Sequence, residues 1–290
     1  MNSYLSLLRV HQYIKNLFIF APLFFAFSFD ISSLISCLIA FVCFSCIASA
    51  VYIFNDFRDI QNDRLHPKKK FRPLASGKIS LKEAFATALL LLFLGGGGGG
   101  YIKLGWEFLA LSSLYICLNL LYSLKLKHIA ILDVCIIAIG FIIRLFVGAF
   151  AGSVQLSHWI IITTFFLSLF LAFCKRRDDL RLLEMENIKT RKSIEGYSLA
   201  FVDFCVVLSA TMSILAYVMW SISPSSIDKL HSPYLYLTSF FVILGIMRYA
   251  QLVYVKQEGG SPTQIVLRDY FMHCILLGWI LSFCILFWRF

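Results

Sequence analysis

Three aspartates, Asp56, Asp59 and Asp63, stand at offsets of three and four residues inside the run Asn55 to Gly77, NDFRDIQNDRLHPKKKFRPLASG. At about 100° per residue this spacing puts all three carboxylates within an arc of roughly 60° on one helix face. Carboxylates stacked on one face repel each other, and a divalent cation is the usual way to hold them. An oxygen-only ligand set favours Mg²⁺, or Mn²⁺ as a substitute, over zinc. Arg58, Arg64, Lys68, Lys69, Lys70, Arg72 and Lys78 interleave with the aspartates or follow them. They suit the guest that such a metal recruits, a diphosphate bridged to the carboxylates by the metal and clamped by guanidinium and ammonium groups. A solvated, positively charged loop would account for Lys69 or Lys70 singly. It does not account for the aspartate triplet.

The elements that must carry this chemistry are membrane helices. Sixty per cent of the 290 residues are hydrophobic and only 14% are charged, with 29 phenylalanines; the mean hydropathy is +0.82. That composition describes an all-α polytopic membrane protein and excludes a soluble core. Hydropathy predicts about nine spans, near 16–30, 33–55, 81–101, 106–124, 129–151, 157–174, 197–221, 233–254 and 269–288, forming one domain over 1–290. The first is weak, holds Pro22 and follows Arg9 and Lys15 without a small-residue cleavage site, so it reads as a retained helix. The nine cysteines fall mostly in apolar segments; Cys43 and Cys46 form a C-x-x-C without partner ligands and read as buried structural residues.

Lysine and arginine are unevenly shared among the loops. Eight lie between Arg58 and Lys82 and seven between Lys175 and Lys192, whereas the opposite side offers Lys103, Lys229 and Arg289. The positive-inside rule therefore predicts a cytoplasmic amino terminus and an outside carboxyl terminus. The net charge of +10 is a topology signal first. Nothing resembles a folded basic module, so no nucleic-acid partner is expected; anionic lipid or phosphate substrates at the cytoplasmic face are.

The remaining polar groups are grouped. Tyr122 and Ser123 precede Lys127, His128 and Asp133, and Arg144 follows eleven residues after Asp133 on the same helix face. Ionisable residues inside a membrane are costly and mark functional cavities; a structural pairing of Arg144 with Asp133, Asp203 or Asp269 is the alternative. A second cluster opens with Lys175, Arg176, Arg177, Asp178 and Asp179 and closes with Arg191, Lys192 and Tyr197. Gly95 to Gly100 is a run of six glycines that, unwound, would need shelter from lipid, and it is assigned no function.

The NDxxDxxxD pattern at the end of the second span resembles the UbiA superfamily of intramembrane prenyltransferases. The longer motifs are similar to its decaprenyl-phosphate phosphoribosyltransferase branch: NDxRDxxxDRxHPxKxFRPxAxG from Asn55 to Gly77, LKHxAxLD from Leu126 to Asp133, IRxxxG from Ile143 to Gly148, KRxx[DE]L from Lys175 to Leu180, RKSxExY from Arg191 to Tyr197, and RYA with LRD between Arg248 and Asp269. The resemblance implies helices around a central cavity open to the cytoplasmic side, in a multi-pass protein of the bacterial inner membrane. It implies transfer of 5-phosphoribose from 5-phosphoribosyl 1-diphosphate to a polyprenyl phosphate, decaprenyl or undecaprenyl, with loss of diphosphate. The chain says nothing of the lipid's length, and an oligomer stays open.

By this resemblance Asp56, Asp59 and Asp63 hold Mg²⁺ against the leaving diphosphate, Asn55 orients the first carboxylate, and Arg64, Lys68 and Arg72 bind phosphate oxygens. Lys127, Lys175 and Arg176 contact the ribose 5-phosphate or the lipid phosphate. Asp133 meets a ribose hydroxyl or the developing oxocarbenium, and Tyr122, Arg144, Asp179 and Tyr197 complete the substrate contacts. The competing expectation is a prenyl transfer from prenyl diphosphate to an aromatic acceptor such as 4-hydroxybenzoate. Enzymes of that kind usually carry a second DxxxD, where this chain has the adjacent Asp178 and Asp179, and Glu184, without that spacing, and extra cations instead. A transporter would also place charges in a cavity, but no inverted repeat or broken-helix pair is legible.

Overall fold

The computed structural model describes residues 3–65, 69–186, 192–230, 232–257, 259–260 and 262–289. Among the described residues every regular element is helical and none is a strand, as the composition requires of a chain that must satisfy its backbone within a bilayer. The chain divides into two compact units, residues 1–126 with 143–155, and residues 127–142 with 156–290.

The first unit opens with α1 (Ser3–Leu7), a 3-10 helix over Val10–Ile19 and α2 (Ala21–Ala26). The expected first span over 16–30 is therefore not one helix. Pro22 sits in the first turn of α2, and Phe27, at φ 54, stops it after six residues. The long α3 (Ile31–Arg58) starts at Asp30, whose side chain accepts the Ser33 N–H at 2.8 Å, and is followed by the short α4 (Ile60–Leu65). A capping box between Ser80 and Glu83 starts α5 (Leu81–Leu92).

The glycine run stays wound, as a π-helix over Phe93–Tyr101 that leads into α6 (Ile102–Leu124). A Cβ on Gly95 would stand 2.5 Å from the Cys43 carbonyl oxygen on α3, so a glycine there permits close helix approach. Phe44, Ile47, Val51 and Tyr115 form the core, joined by Ile143 and Val147 from the second half of α7 (Leu132–Ala151). Gly148 lets that half lie on the amino-terminal segment, where an added Cβ would come within 1.9 Å of the Ile19 carbonyl.

The second unit takes the first half of α7 and then α8 (His158–Glu186), α9 (Leu199–Ser221), α10 (Pro224–Leu230), α11 (Ser239–Tyr254), α12 (Pro262–Arg268) and α13 (Tyr270–Arg289). Its core gathers Val134, Phe170, Cys174, Val202, Tyr249 and Leu252. Among the described residues six helices are long and apolar enough to cross a membrane, and seven if α12 and α13, bent by 79°, are one span. The count of nine from hydropathy is not reproduced helix for helix. The first expected span is split at Phe27, and the third is divided between α5 and the π-helix.

Candidate active site

The carboxylates do not stay on one continuous helix face. α3 ends at Arg58, and Asp59 has φ −98 and ψ 5 before α4 begins. Asp56 and Asp63 are consequently buried together, whereas Asp59 is half-buried. One nitrogen of Arg72, Nη1, donates to Asp56 at 3.0 Å and to Asp63 at 2.7 Å. Arg9 donates a further charged hydrogen bond to the same oxygen of Asp56 and lies over the Tyr52 ring, 5.1 Å from its centroid. Guanidinium groups thus neutralise two carboxylates that could not remain charged and buried alone.

The FRPLASG segment delivers Arg72 because it is itself anchored. Leu74 packs with Leu7, Ile53, Ile79 and Ala84, Gly77 turns the chain at φ 74, and Arg64 Nε donates to the Ala75 carbonyl at 3.2 Å. Asn55 was expected to orient the first carboxylate; it serves the second. Its amide donates to Asp59 at 3.4 Å, one helical turn on, and its carbonyl accepts the Ser123 hydroxyl at 3.1 Å. Asp56 is the next residue along, about 100° around the helix, and out of that amide's reach. Among the described residues no three His, Cys, Asp or Glu side chains are gathered into a metal cage.

Arg144 is buried in the same unit. It donates to Asn16 at 2.8 Å and to the Tyr115 hydroxyl at 3.2 Å, and it faces the rings of Phe44 and Tyr115. Asn16 in turn donates to Ser45 at 2.9 Å. Tyr122 is half-buried and Lys68 lies outside the described residues.

In the second unit the motif residues close on one another. Asp133, fully buried at the start of α7, accepts from Arg176 Nε at 2.7 Å, the Tyr197 hydroxyl at 2.7 Å and the Ser193 hydroxyl at 3.2 Å. Arg176 also donates to Asp179 at 2.6 Å, one turn along α8. The Tyr197 oxygen accepts the Ile131 N–H at 2.6 Å, fixing the positive-φ residue, φ 69, that leads into α7. Burial, and then the bond to Asp133, push the Tyr197 hydroxyl's pKa well up, so it stays a donor.

Lys127 is buried on the short 3-10 turn Leu126–His128, six positions before Asp133, and Lys175 is half-buried. Arg177 pairs with Asp203 at 2.8 Å and Arg248 with Asp269 at 2.7 Å. Sequence reasoning missed Arg9 as a partner of Asp56. A lone charge ahead of a weak first span reads as a topology signal, and 47 positions separate Arg9 from Asp56.

The model of the UbiA prenyltransferase family matches residues 17–275. The chain is 33% identical over 288 residues to the decaprenyl-phosphate phosphoribosyltransferase of Mycolicibacterium smegmatis, covering 94% of this chain and 88% of that one. It is 32% identical over 281 residues to the enzyme of the same name from Corynebacterium glutamicum, covering 96% and 84%. Among solved structures, a UbiA homologue from Archaeoglobus fulgidus bound to GPP and Mg²⁺ matches with a TM-score of 0.73 and 17% identity over 99% of each chain.

Proposed function

The chain belongs to the UbiA prenyltransferase family, and from that footing we propose that it transfers 5-phosphoribose from 5-phosphoribosyl 1-diphosphate to a polyprenyl phosphate, decaprenyl or undecaprenyl, releasing diphosphate. It is a membrane-embedded transferase. The lysine and arginine asymmetry supports a bacterial inner-membrane orientation with the amino terminus and the site towards the cytoplasm.

Mg²⁺, with Mn²⁺ as a substitute, fits the donor set of the first unit, because Asp56 and Asp63 already share one positive charge, that of Arg72, and Asp59 follows Asp56 by three residues. Those three carboxylates would hold it; when bound it supplies the charge that stabilises a departing diphosphate. Arg72 and Arg64 take phosphate oxygens and receive the negative charge that builds as the anomeric C–O bond breaks. Asn55 turns Asp59. The acceptor phosphate is already an anion, so it needs positioning and no strong base. Lys127 and Lys175 serve one of the two phosphate monoesters, as would Lys68, and Tyr122 lines the donor side. The Asp133, Arg176, Asp179 and Tyr197 network positions Lys127 by fixing the chain between it and α7.

The observation that carries the choice of phosphoribosyl over prenyl transfer lies after Lys175. The acids there are adjacent instead of four residues apart, and Asp179 is bonded to Arg176. A second metal would find no DxxxD carboxylate pair in that segment.

The test uses purified protein with Mg²⁺ in two reactions, labelled phosphoribosyl diphosphate with polyprenyl phosphate, and labelled prenyl diphosphate with 4-hydroxybenzoate. Labelled lipid phosphoribose in the first is the expected product. Label transfer only in the second reaction would overturn the assignment.

A further inference from the structure

The amino-terminal segment lies as a ladder along one face of α3. Ser45, Ser49, Tyr52 and Asp56 stand at offsets of four, three and four residues, which puts them in one stripe of that helix. Asn16 donates to Ser45 at 2.9 Å, the Tyr13 hydroxyl lies 2.9 Å from that of Ser49, and Ser49 donates to the Leu8 carbonyl at 2.8 Å. Arg9 is the last rung, over the Tyr52 ring and bonded to Asp56. Leu7, buried with Ile53 and Leu74, fixes the chain just before it. Arg9 itself takes a left-handed backbone, φ 51 and ψ 46, which a residue with a side chain adopts where its surroundings impose it. The fold thus delivers the only arginine, lysine, aspartate or glutamate of the first fourteen residues to one of the carboxylates assigned above to metal and diphosphate.

The other rungs are neutral hydrogen bonds that hold the segment down. The charged rung is different, because Nη1 of Arg72 draws on the same Asp56 oxygen. Arg9 and Arg72 balance Asp56 and Asp63 charge for charge. A divalent cation on those carboxylates competes for that oxygen and repels both guanidiniums. Even with Asp59 as a third ligand, two guanidiniums and the metal leave positive charge for an anion to meet. Arg9 cannot go far once displaced, since Leu8 and Tyr13 on either side of it both meet Ser49. Its side chain keeps 17% of its surface where that of Asp56 keeps 3%, so the guanidinium forms the open side of the pair. A fork of N–H donors held there stands beside the oxygens of a metal-bound diphosphate.

We propose that Arg9 is a further diphosphate-binding residue, which passes from Asp56 to the leaving diphosphate when metal and diphosphate bind. This role rests on the metal-assisted loss of diphosphate assigned above, and it is the same whether ribose or a prenyl chain is transferred.

Inorganic diphosphate, the product common to both transfers, tests the role without turnover. Labelled diphosphate is bound to the full-length protein in detergent at saturating Mg²⁺ and measured by equilibrium dialysis. Arg9→Gln should weaken its binding about tenfold or more, and Arg9→Lys, which keeps the charge without the fork, by less. Mn²⁺ alone, followed by electron paramagnetic resonance, should bind Arg9→Gln at least as tightly as the wild type, because a competitor for the Asp56 oxygen is gone. A guanidinium whose work ended at Asp56 would leave diphosphate affinity unchanged or improved along with the metal's. The wild type supplies a second measurement. Phenylglyoxal modification of Arg9, read by peptide mass spectrometry against the exposed Arg268, should be about tenfold or more slower with Mg²⁺ and diphosphate than with Mg²⁺ alone. Arg9 reactivity unmoved by diphosphate, or unchanged diphosphate affinity in Arg9→Gln, overturns the role. Diphosphate held by Arg9 in a protein that makes no lipid phosphoribose would keep the role and sink the reaction assigned above.

Discussion

The two units treat a buried aspartate in opposite ways. In the first, Asp56 and Asp63 are neutralised by Arg9 and Arg72, whose side chains keep 17% and 28% of their surface and come from the amino-terminal segment and a loop. In the second, Asp133 meets Arg176 with 0% and 2% exposure, both on long helices, and Tyr197 and Ser193 also donate to it. A guanidinium on a loop at the edge of solvent can leave its carboxylate for a metal or a phosphate. One sealed between α7 and α8 cannot leave without exposing two unpaired charges to a low dielectric. The same residue types therefore serve exchange in one unit and framework in the other.

The largest expected effect is at Asp56. Asp56→Asn removes a ligand charge and should lower Mg²⁺-dependent phosphoribosyl transfer by about 10³-fold or more, while the unfolding temperature changes little. Turnover within tenfold of wild type would remove the first unit's carboxylates from the mechanism and erase the contrast. Asp133→Asn should show the reverse pattern. Arg176 then loses the buried carboxylate charge it pairs with, a loss of roughly 3–5 kcal/mol read in detergent by thermal or denaturant unfolding. Asp133→Leu with Arg176→Met should recover much of that loss. If Asp133→Asn folds like the wild type and is merely inactive, the second cluster belongs to the chemistry.

A smaller effect of the same kind is expected at Tyr197. Tyr197→Phe strands the Ile131 N–H and one acceptor position of Asp133, about 1–3 kcal/mol together. The unfolding temperature is the measurement, and the KM for both substrates should stay within a few fold. A selective rise in one KM would instead make Tyr197 a substrate contact.

Much of this was legible beforehand for a physical reason. The apolar spans and the charged run from Asp56 to Arg72 are local patterns, and they reappear as an all-α membrane chain with Arg72 bonded to Asp56 and Asp63. What escaped is non-local or conformational. The break at Asp59 that separates its carboxylate from the other two depends on one backbone angle pair. The pairing of Asp133 with Arg176 spans 43 positions, and that of Arg9 with Asp56 spans 47. Neither has a spacing rule to announce it. Arg144 was marked as costly inside a membrane; among its partners are the neutral Asn16 and Tyr115, which no charge-matching argument would select.

Arg72 gives the finest test of exchange against framework. Its Nη1 lies between Asp56 and Asp63, so a divalent ion seeking both carboxylates must compete with it. Arg72→Gln keeps a polar side chain of similar reach and removes that competitor, leaving Arg9 on Asp56 alone. Mn²⁺ titrated into the substrate-free protein and followed by electron paramagnetic resonance should then bind more tightly, by about tenfold, close to 1.4 kcal/mol. The same variant should show a raised KM for phosphoribosyl diphosphate, because the guanidinium is no longer there to receive the leaving group. Arg9→Gln should shift Mn²⁺ affinity less, since Arg9 contacts one carboxylate where Arg72 contacts two. Weaker Mn²⁺ binding in Arg72→Gln would mean that the guanidinium holds the carboxylates in shape for the metal instead of standing in its place. The first unit's arginines would then be framework, as Arg176 is.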